Sequence, residues 1–323
     1  MDIIEGALRA SVSSEAIYFC LAAIGLNVQL GYAGLLNFGQ AGFLAVGAYG
    51  FGVAVASFNM PFFLAIIVGL LASALLGLIL GIPTLRLRAD YLAIATLAAA
   101  EVIRLFFGAS FKEYFRGRDG VSGFTAAFQG ANPFDDRLLG FRPGTFWVMC
   151  VGWTLVVLVS VFVWLLMKSP WGRVLKSIRE DEEAVRSLGK NVYSYKMQAL
   201  VMGGMIGCLG GFILAFGQNS VQPDNFNSDL TFIVYTMLIL GGAARIIGPI
   251  FGAVVFWGAL SLTSGILDRL TSGTDPAIPT WLMTDNQIGS VRFMLVGLAL
   301  MLLMIFRPQG VFGDRKEIAL DAQ

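Results

Sequence analysis

Stretches of roughly 20 apolar residues recur along nearly the whole of this 323-residue chain, and that recurrence limits the folds open to it. A helix of about 20 residues crosses the hydrocarbon core of a bilayer. Inside that core, every backbone N–H and C=O has to be bonded within the protein. The pattern predicts spans at about Glu15–Leu30, Gln40–Phe58, 62–81, Tyr91–Gly108, Gly144–Met167, Met197–Gly217, Leu230–Gly242, Pro249–Leu267 and Ile288–Phe306. The expected fold is therefore all-α, a polytopic integral membrane protein of about nine transmembrane helices. A broken or re-entrant helix within the Gly-rich residues 31–50 changes that count to eight or ten. Residues 1–323 form one transmembrane domain, with a long polar segment at 109–143 and a charged one at 168–196. Composition agrees: 57% of residues are hydrophobic and 13% charged, against roughly 25% charged in soluble domains.

Several function classes are excluded early. The chain has no histidine, the commonest general base and metal ligand. Cys20, Cys150 and Cys208 are far apart in apolar runs and read as structural filling, with neither metal spacing nor an obvious disulfide. No Gly-x-x-x-x-Gly-Lys-Ser/Thr occurs, so ATP is not bound by a P-loop. An enzyme, a metal site and a cofactor held by this chain are therefore not expected. A net charge of +1 gives no reason to expect nucleic acid. The opening Met1–Gly6 lacks a basic region, so a cleaved signal peptide is not expected.

The segment 168–196 is the most densely charged in the chain, with seven of the 22 Lys and Arg and the acids Glu180 to Glu183. It also has the signals of a short helix. Asp181 suits an N-cap, Glu182 and Glu183 suit the positive end of a helix dipole, and Gly189 suits a left-handed C′ position. Ala184 and Leu188 stand four residues apart with Val185 beside them, which predicts a small apolar face. Two readings stay open: a partner-docking helix, or an ordinary solvated loop. Cytoplasmic placement of this segment puts Arg86, Arg88, Arg245, Arg307, Arg315 and Lys316 on the same side. Fewer basic residues (Arg9, Lys112, Arg116, Arg118, Arg137, Arg142 and Arg269) fall on the other, so the N-terminus is expected outside.

Six glycines fall in Gly31–Gly50, with the amides Asn27, Gln29, Asn37 and Gln40 clustered around them. Repeated glycine permits close helix approach and tolerates unwinding. The four amides are candidates for a substrate pathway, where neutral donors and acceptors guide a zwitterion without trapping it. The other reading is interhelical hydrogen bonding. Glu101 and Arg104, at i and i+3 within a span, are placed to form an ion pair. The turn-rich external segment Phe115–Phe124 is either a docking loop or a plain connection.

Five stretches together resemble the LivM-type permease subunits of bacterial branched-chain amino-acid ABC importers. They are Gly31–Gly50, Leu85–Leu97, Ser169–Gly189, Gly241–Gly242 with Gly248–Ala253, and Phe306–Gly313. Glu183-Ala184-Val185-Arg186-Ser187-Leu188-Gly189 is similar to the importer coupling motif Glu-Ala-Ala-x-x-x-Gly, with Val in the third place. Ala244 and Arg118-Asp119 depart from the family pattern, which has Gly at the first and a neutral loop at the second. The resemblance implies a permease domain whose Asp181–Gly189 stretch couples to ATPases, in a multi-pass protein of the bacterial inner membrane. The implied partners are the lipid bilayer, a second related permease, two cytoplasmic ATPases that bind ATP and Mg, and a periplasmic substrate-binding protein. The implied cargo is a branched-chain or other apolar amino acid, with urea or a short-chain amide as the alternative. A stand-alone ion-coupled secondary transporter is the rival from another class.

Overall fold

A computed structural model of the chain describes residues 3–138, 140–271, 285–307 and 310–312. Arg315, Lys316, most of the polar segment 268–287, and Pro308, Gln309 and Gly313 of the C-terminal stretch lie outside the described residues. The helices in chain order are α1 (Ile3–Ser11), α2 (Ser14–Leu26), α3 (Gln40–Ala56), α4 (Phe62–Thr84), α5 (Ala89–Ala109), α6 (Lys112–Phe115) and α7 (Ala126–Gly130). They continue as α8 (Pro143–Lys168), α9 (Pro170–Glu180), α10 (Glu182–Ser187), α11 (Val192–Gln218), α12 (Ser228–Gly241), α13 (Ile247–Thr271) and α14 (Asp285–Phe306). Between α2 and α3 the chain runs as a π-helical turn, Asn27–Tyr32, and then without helix to Gln40.

Among the described residues, six helical stretches are long and apolar enough to cross a membrane. These are Ser14–Tyr32 (α2 with its π-turn), α4, α5, α8, α11 and α13. Two shorter apolar helices, α3 and α12, sit in the middle of the bundle; α3 has 17 residues, about 26 Å at the helical rise. The all-α polytopic architecture thus stands, and the Gly-rich segment is where it breaks.

Two elements depart from the pattern of apolar runs. α1 lies below the length of a span and packs along α13, with Ala7 buried between them. The charged segment carries two helices where one was expected. α9 precedes α10 because Ser169 caps it, Pro170 fills its first position, and Leu175 and Ile178 give it a buried stripe.

The centre is a close backbone packing of α2 on α11, with α3 against both. Glycine makes that approach possible. A Cβ on Gly25 would collide with the Gly203 carbonyl oxygen, and one on Gly203 would sit 2.5 Å from the Gly25 carbonyl oxygen. Around this centre, α4, α5, α8 and α13 turn broad apolar faces outward, including Phe63, Leu71, Ile94, Val157 and Ile266. Helices apolar on the outer side as well as the inner belong in lipid.

The segment 109–143, expected to be external, is docked on the bundle. Val121 pairs with Val221 in a two-residue antiparallel ladder, β1 (Val121–Ser122) with β2 (Ser220–Val221). Phe128 stacks on Phe216 at 4.5 Å, and Phe124 meets Phe51 edge-on at 5.8 Å.

Gly203→Val is expected to destabilise the α2–α11 centre by about 1–3 kcal/mol or to prevent accumulation in the membrane. Gly6→Ala, with nothing within 4 Å of the new methyl, should leave stability unchanged or slightly raised. Thermal melting in detergent reads both, and equal melts for the two variants would contradict the backbone-contact account.

Candidate functional site

The break after α2 is the most polar place in the interior of the bundle. Asn27, Gln29, Asn37 and Gln40 are all almost wholly buried there. Asn27, Gln29 and Gln40 each reach a backbone group on another element, and Asn37 bonds Gln29 across the break and a backbone N–H within it. The Asn27 Nδ2 donates to the Arg245 carbonyl at 2.9 Å, and its Oδ1 accepts from the Ala244 N–H at 2.8 Å. Gln29 Nε2 donates to the Leu200 carbonyl on α11 at 3.0 Å, and its Oε1 accepts from Asn37 Nδ2 at 2.8 Å. Asn37 Oδ1 accepts from the Gly39 N–H at 2.8 Å. Gln40 Nε2 points between the Ala22 and Gly203 carbonyls at 3.3 and 3.4 Å.

Other helices complete the set. Thr96 of α5 accepts from the Phe38 N–H at 3.0 Å, and Thr231 of α12 accepts from the Ala41 N–H at 3.0 Å. The Tyr235 hydroxyl donates to the Asn37 carbonyl at 3.0 Å. Of the two readings of the amides, interhelical bonding is the one this geometry realises. In this conformation they brace the break, and none of them lines three of the best-formed cavities among the described residues. Tyr235 and Thr231 were not expected at the site. Their signal was two hydrogen-bonding side chains four residues apart in an apolar run.

On the side expected to be cytoplasmic, α9 and α10 form a compact pair. Asp181 is extended, with φ −151°, and its carboxylate accepts from the Ala184 N–H at 2.9 Å, which is the expected cap. Val185 is buried against Ile178 and Val192, with Val174 and Tyr195 around them. Glu182 pairs with Arg186 at 2.8 Å and also with Lys196 at the start of α11. Gly189 takes the left-handed conformation at φ +75°, as its place predicted.

The apolar face differs from expectation in one respect. Val185 faces inward, while Ala184 and Leu188 face outward with Glu183. Leu188 is 80% exposed, the largest exposure of any large hydrophobic residue recorded among the described residues. Val185 turns into the contact with Ile178 and Val192 and anchors the helix, while Ala184 and Leu188, which follows the helix as its C-cap, stay outside that contact.

The pair is also tied to the break. The Arg179 guanidinium Nη1 donates to the Gly31 carbonyl at 2.6 Å, in the π-turn itself. Its aliphatic stem lies against Gly34, where an added Cβ would meet Arg179 Cγ at 3.3 Å. Arg179 was missed in the sequence, although its spacing of four from buried Leu175 puts it on the inward face.

Glu101 and Arg104 pair as expected. Arg104 Nε lies 3.0 Å from both carboxylate oxygens, and its Nη1 donates to Asp224 at 3.0 Å. Asp224, from the turn after β2, was not anticipated, since 120 residues separate it from Arg104.

Residues 8–306 match the family described as "Branched-chain amino acid transport system / permease component". The chain belongs to that family. It is 28% identical over 93% of its length, and 69% of the relative's, to the high-affinity branched-chain amino acid transport system permease protein LivM of Escherichia coli (strain K12). It is 23% identical to the probable branched-chain amino acid transport permease protein LivM of Methanocaldococcus jannaschii, over 92% of this chain and 91% of the relative. The fructose import permease protein FrcC of Rhizobium meliloti is 28% identical over 68% of this chain and 59% of its own length.

Asn37→Leu, which leaves the Gln29 Oε1 and the Gly39 N–H without their partner, is expected to cost about 1–3 kcal/mol for each group stranded. Thr154→Val on α8, whose hydroxyl bonds only within its own helix among the described residues, should cost far less. Comparative melting tests this, and equal loss in the two variants would remove the bracing role.

Proposed function

We propose that this chain is the membrane-spanning permease subunit of an ATP-binding-cassette importer for branched-chain or similar apolar amino acids. Family membership and the relatives named for branched-chain amino acid transport support that cargo. In this reading nine helices cross the inner membrane of a bacterium, with the N-terminus outside. A second, related permease completes the path, two cytoplasmic ATPases bind ATP and Mg, and a periplasmic binding protein delivers substrate.

The observation that carries the proposal is the build of α10. Its inner side is fixed by Val185, its start by Asp181 and its flank by Glu182–Lys196, while Ala184 and Leu188 are left outward. Exposing an apolar side chain at the end of a rigidly held helix stabilises nothing within this chain. It suits a cleft on a partner. Motion of such a partner would enter through α9 and reach the π-turn through the Arg179–Gly31 bond. In this mechanism the amides act at a hinge, holding the unwound backbone in one of its arrangements. The pathway wall belongs to other surfaces.

A stand-alone ion-coupled transporter is less well supported. Such a device needs a membrane acid available to its coupling ion, and Glu101 is engaged by Arg104 at two oxygens.

Leu188→Asp is expected to leave the melting temperature of the isolated chain unchanged, because the side chain is 80% exposed. It should reduce co-purification of the ATPase subunits by roughly tenfold or more, the loss expected when a charge replaces an apolar interface anchor. Wild-type co-purification with Leu188→Asp would reject the docking role of α10.

A further inference from the structure

A cavity of about 530 Å³ opens sideways at the level of the α9–α10 pair, between the last turns of α8, the end of the π-turn, α9 and the start of α13. That volume falls within the roughly 300–1,000 Å³ of small-molecule sites. Its outer wall is apolar and continuous with the outward face of α8. Val161, Trp164 and Ile247 line it and are exposed, as are the neighbouring Val157, Leu158 and Leu165. Its inner end is basic. Lys168, Lys176 and Arg245 line it, and no carboxylate does so among the described residues.

The two lysines are held in place by rings. Lys168 Nζ lies 3.7 Å from the centroid of Trp164, and Lys176 Nζ lies 5.6 Å from that of Tyr32. Cation–π contact orients an ammonium without neutralising it. The segment from Ala244 to Ile247, also in the lining, leads into the first turn of α13. Backbone N–H groups there have no partner within the helix, and the helix dipole is positive at that end. Independently, Ser160 lines the same cavity, and its hydroxyl is buried with no hydrogen-bond partner among the described residues. A buried hydroxyl lacking a partner is costly unless something fills the site.

An apolar wall continuous with the lipid-facing surface and a basic end at the depth of the polar surface have the two-part chemistry of one ligand. We infer that the cavity holds an anionic phospholipid of the adjoining leaflet, with its phosphate between Lys168 and Lys176 and its acyl chains along Val161 and Trp164. Basic pockets between membrane helices select acidic headgroups through the same combination of charge and depth. The site touches α9 through Lys176 and the π-turn through Tyr32. A bound lipid therefore ties together the two elements that Arg179 also joins.

The test uses the full chain in detergent, followed by native mass spectrometry with added phosphatidylglycerol or phosphatidylcholine of matched acyl chains. Wild-type protein should retain phosphatidylglycerol over phosphatidylcholine by roughly tenfold or more, and K168Q/K176Q should bring that preference within about twofold. K168R/K176R should keep it, as should Arg173→Gln, whose side chain lies on α9 outside the cavity lining. The single variants K168Q and K176Q should each lower the preference part-way and serve if the double variant fails to fold. Equal retention of both lipids by wild-type protein would overturn the proposal. So would unchanged preference in folded K168Q/K176Q, or displacement of the lipid by millimolar inorganic phosphate, which would assign the site to a free anion.

Discussion

The structure depends on the hydrogen bonding of one stretch of unwound backbone inside a membrane-depth bundle. Residues 33–39 have left the helical ladder, and an unbonded N–H or C=O at that depth costs several kcal/mol, on the order of a domain's whole stability when repeated. Side chains of two neighbouring helices meet part of the demand, Thr96 of α5 at the Phe38 N–H and Tyr235 of α12 at the Asn37 carbonyl, while Thr231 of α12 takes the Ala41 N–H and Asn27 and Gln29 tie the π-turn to the Ala244–Arg245 turn and to α11. Asn37 bridges within the break itself. Gly25 and Gly203 matter for the same reason. They bring α2 close enough to α11 for Gln29 and Gln40 to reach backbone carbonyls on the next helix.

That arrangement gives the break a place in a mechanical path. It is held from the side by α5, α11 and α12, and from below by Arg179 of α9. A rearrangement of α9 has to carry Gly31 with it or break a charge-assisted bond to its carbonyl. α9 in turn shares the Ile178–Val185–Val192 cluster with α10 and the start of α11. Work applied to the outward face of α10 therefore has a short, continuous route into the centre of the bundle. Packed elements of this kind switch between discrete positions and do not deform smoothly.

Much of the bundle was readable from apolar run length, because a bilayer imposes that length on a helix. Run length says little about α1 or α9. The first is too short to span, and the second is too polar, its boundary written in Ser169-Pro170 and its burial in Leu175 and Ile178. The capping of α10 was legible because Asp181 and Gly189 act on neighbouring backbone. The side on which Val185 falls was not, since it depends on Ile178 and Val192 from two other helices. The four amides stand out in the sequence, yet composition cannot distinguish a polar wall from a polar brace. Only the positions of the carbonyls of Leu200, Gly203 and Arg245 do so, far away in the chain. Asp224 was invisible for the same reason.

The measurement that bears most directly on this account is the ratio of substrate imported to ATP hydrolysed in proteoliposomes holding the assembled importer with Arg179→Gln. If the Arg179–Gly31 bond carries motion from the helix pair into the break, hydrolysis stays within about twofold of wild type while uptake falls by roughly tenfold or more, the size of a typical coupling free energy. An unchanged ratio of uptake to hydrolysis, in an assembly that retains its ATPases, would contradict it.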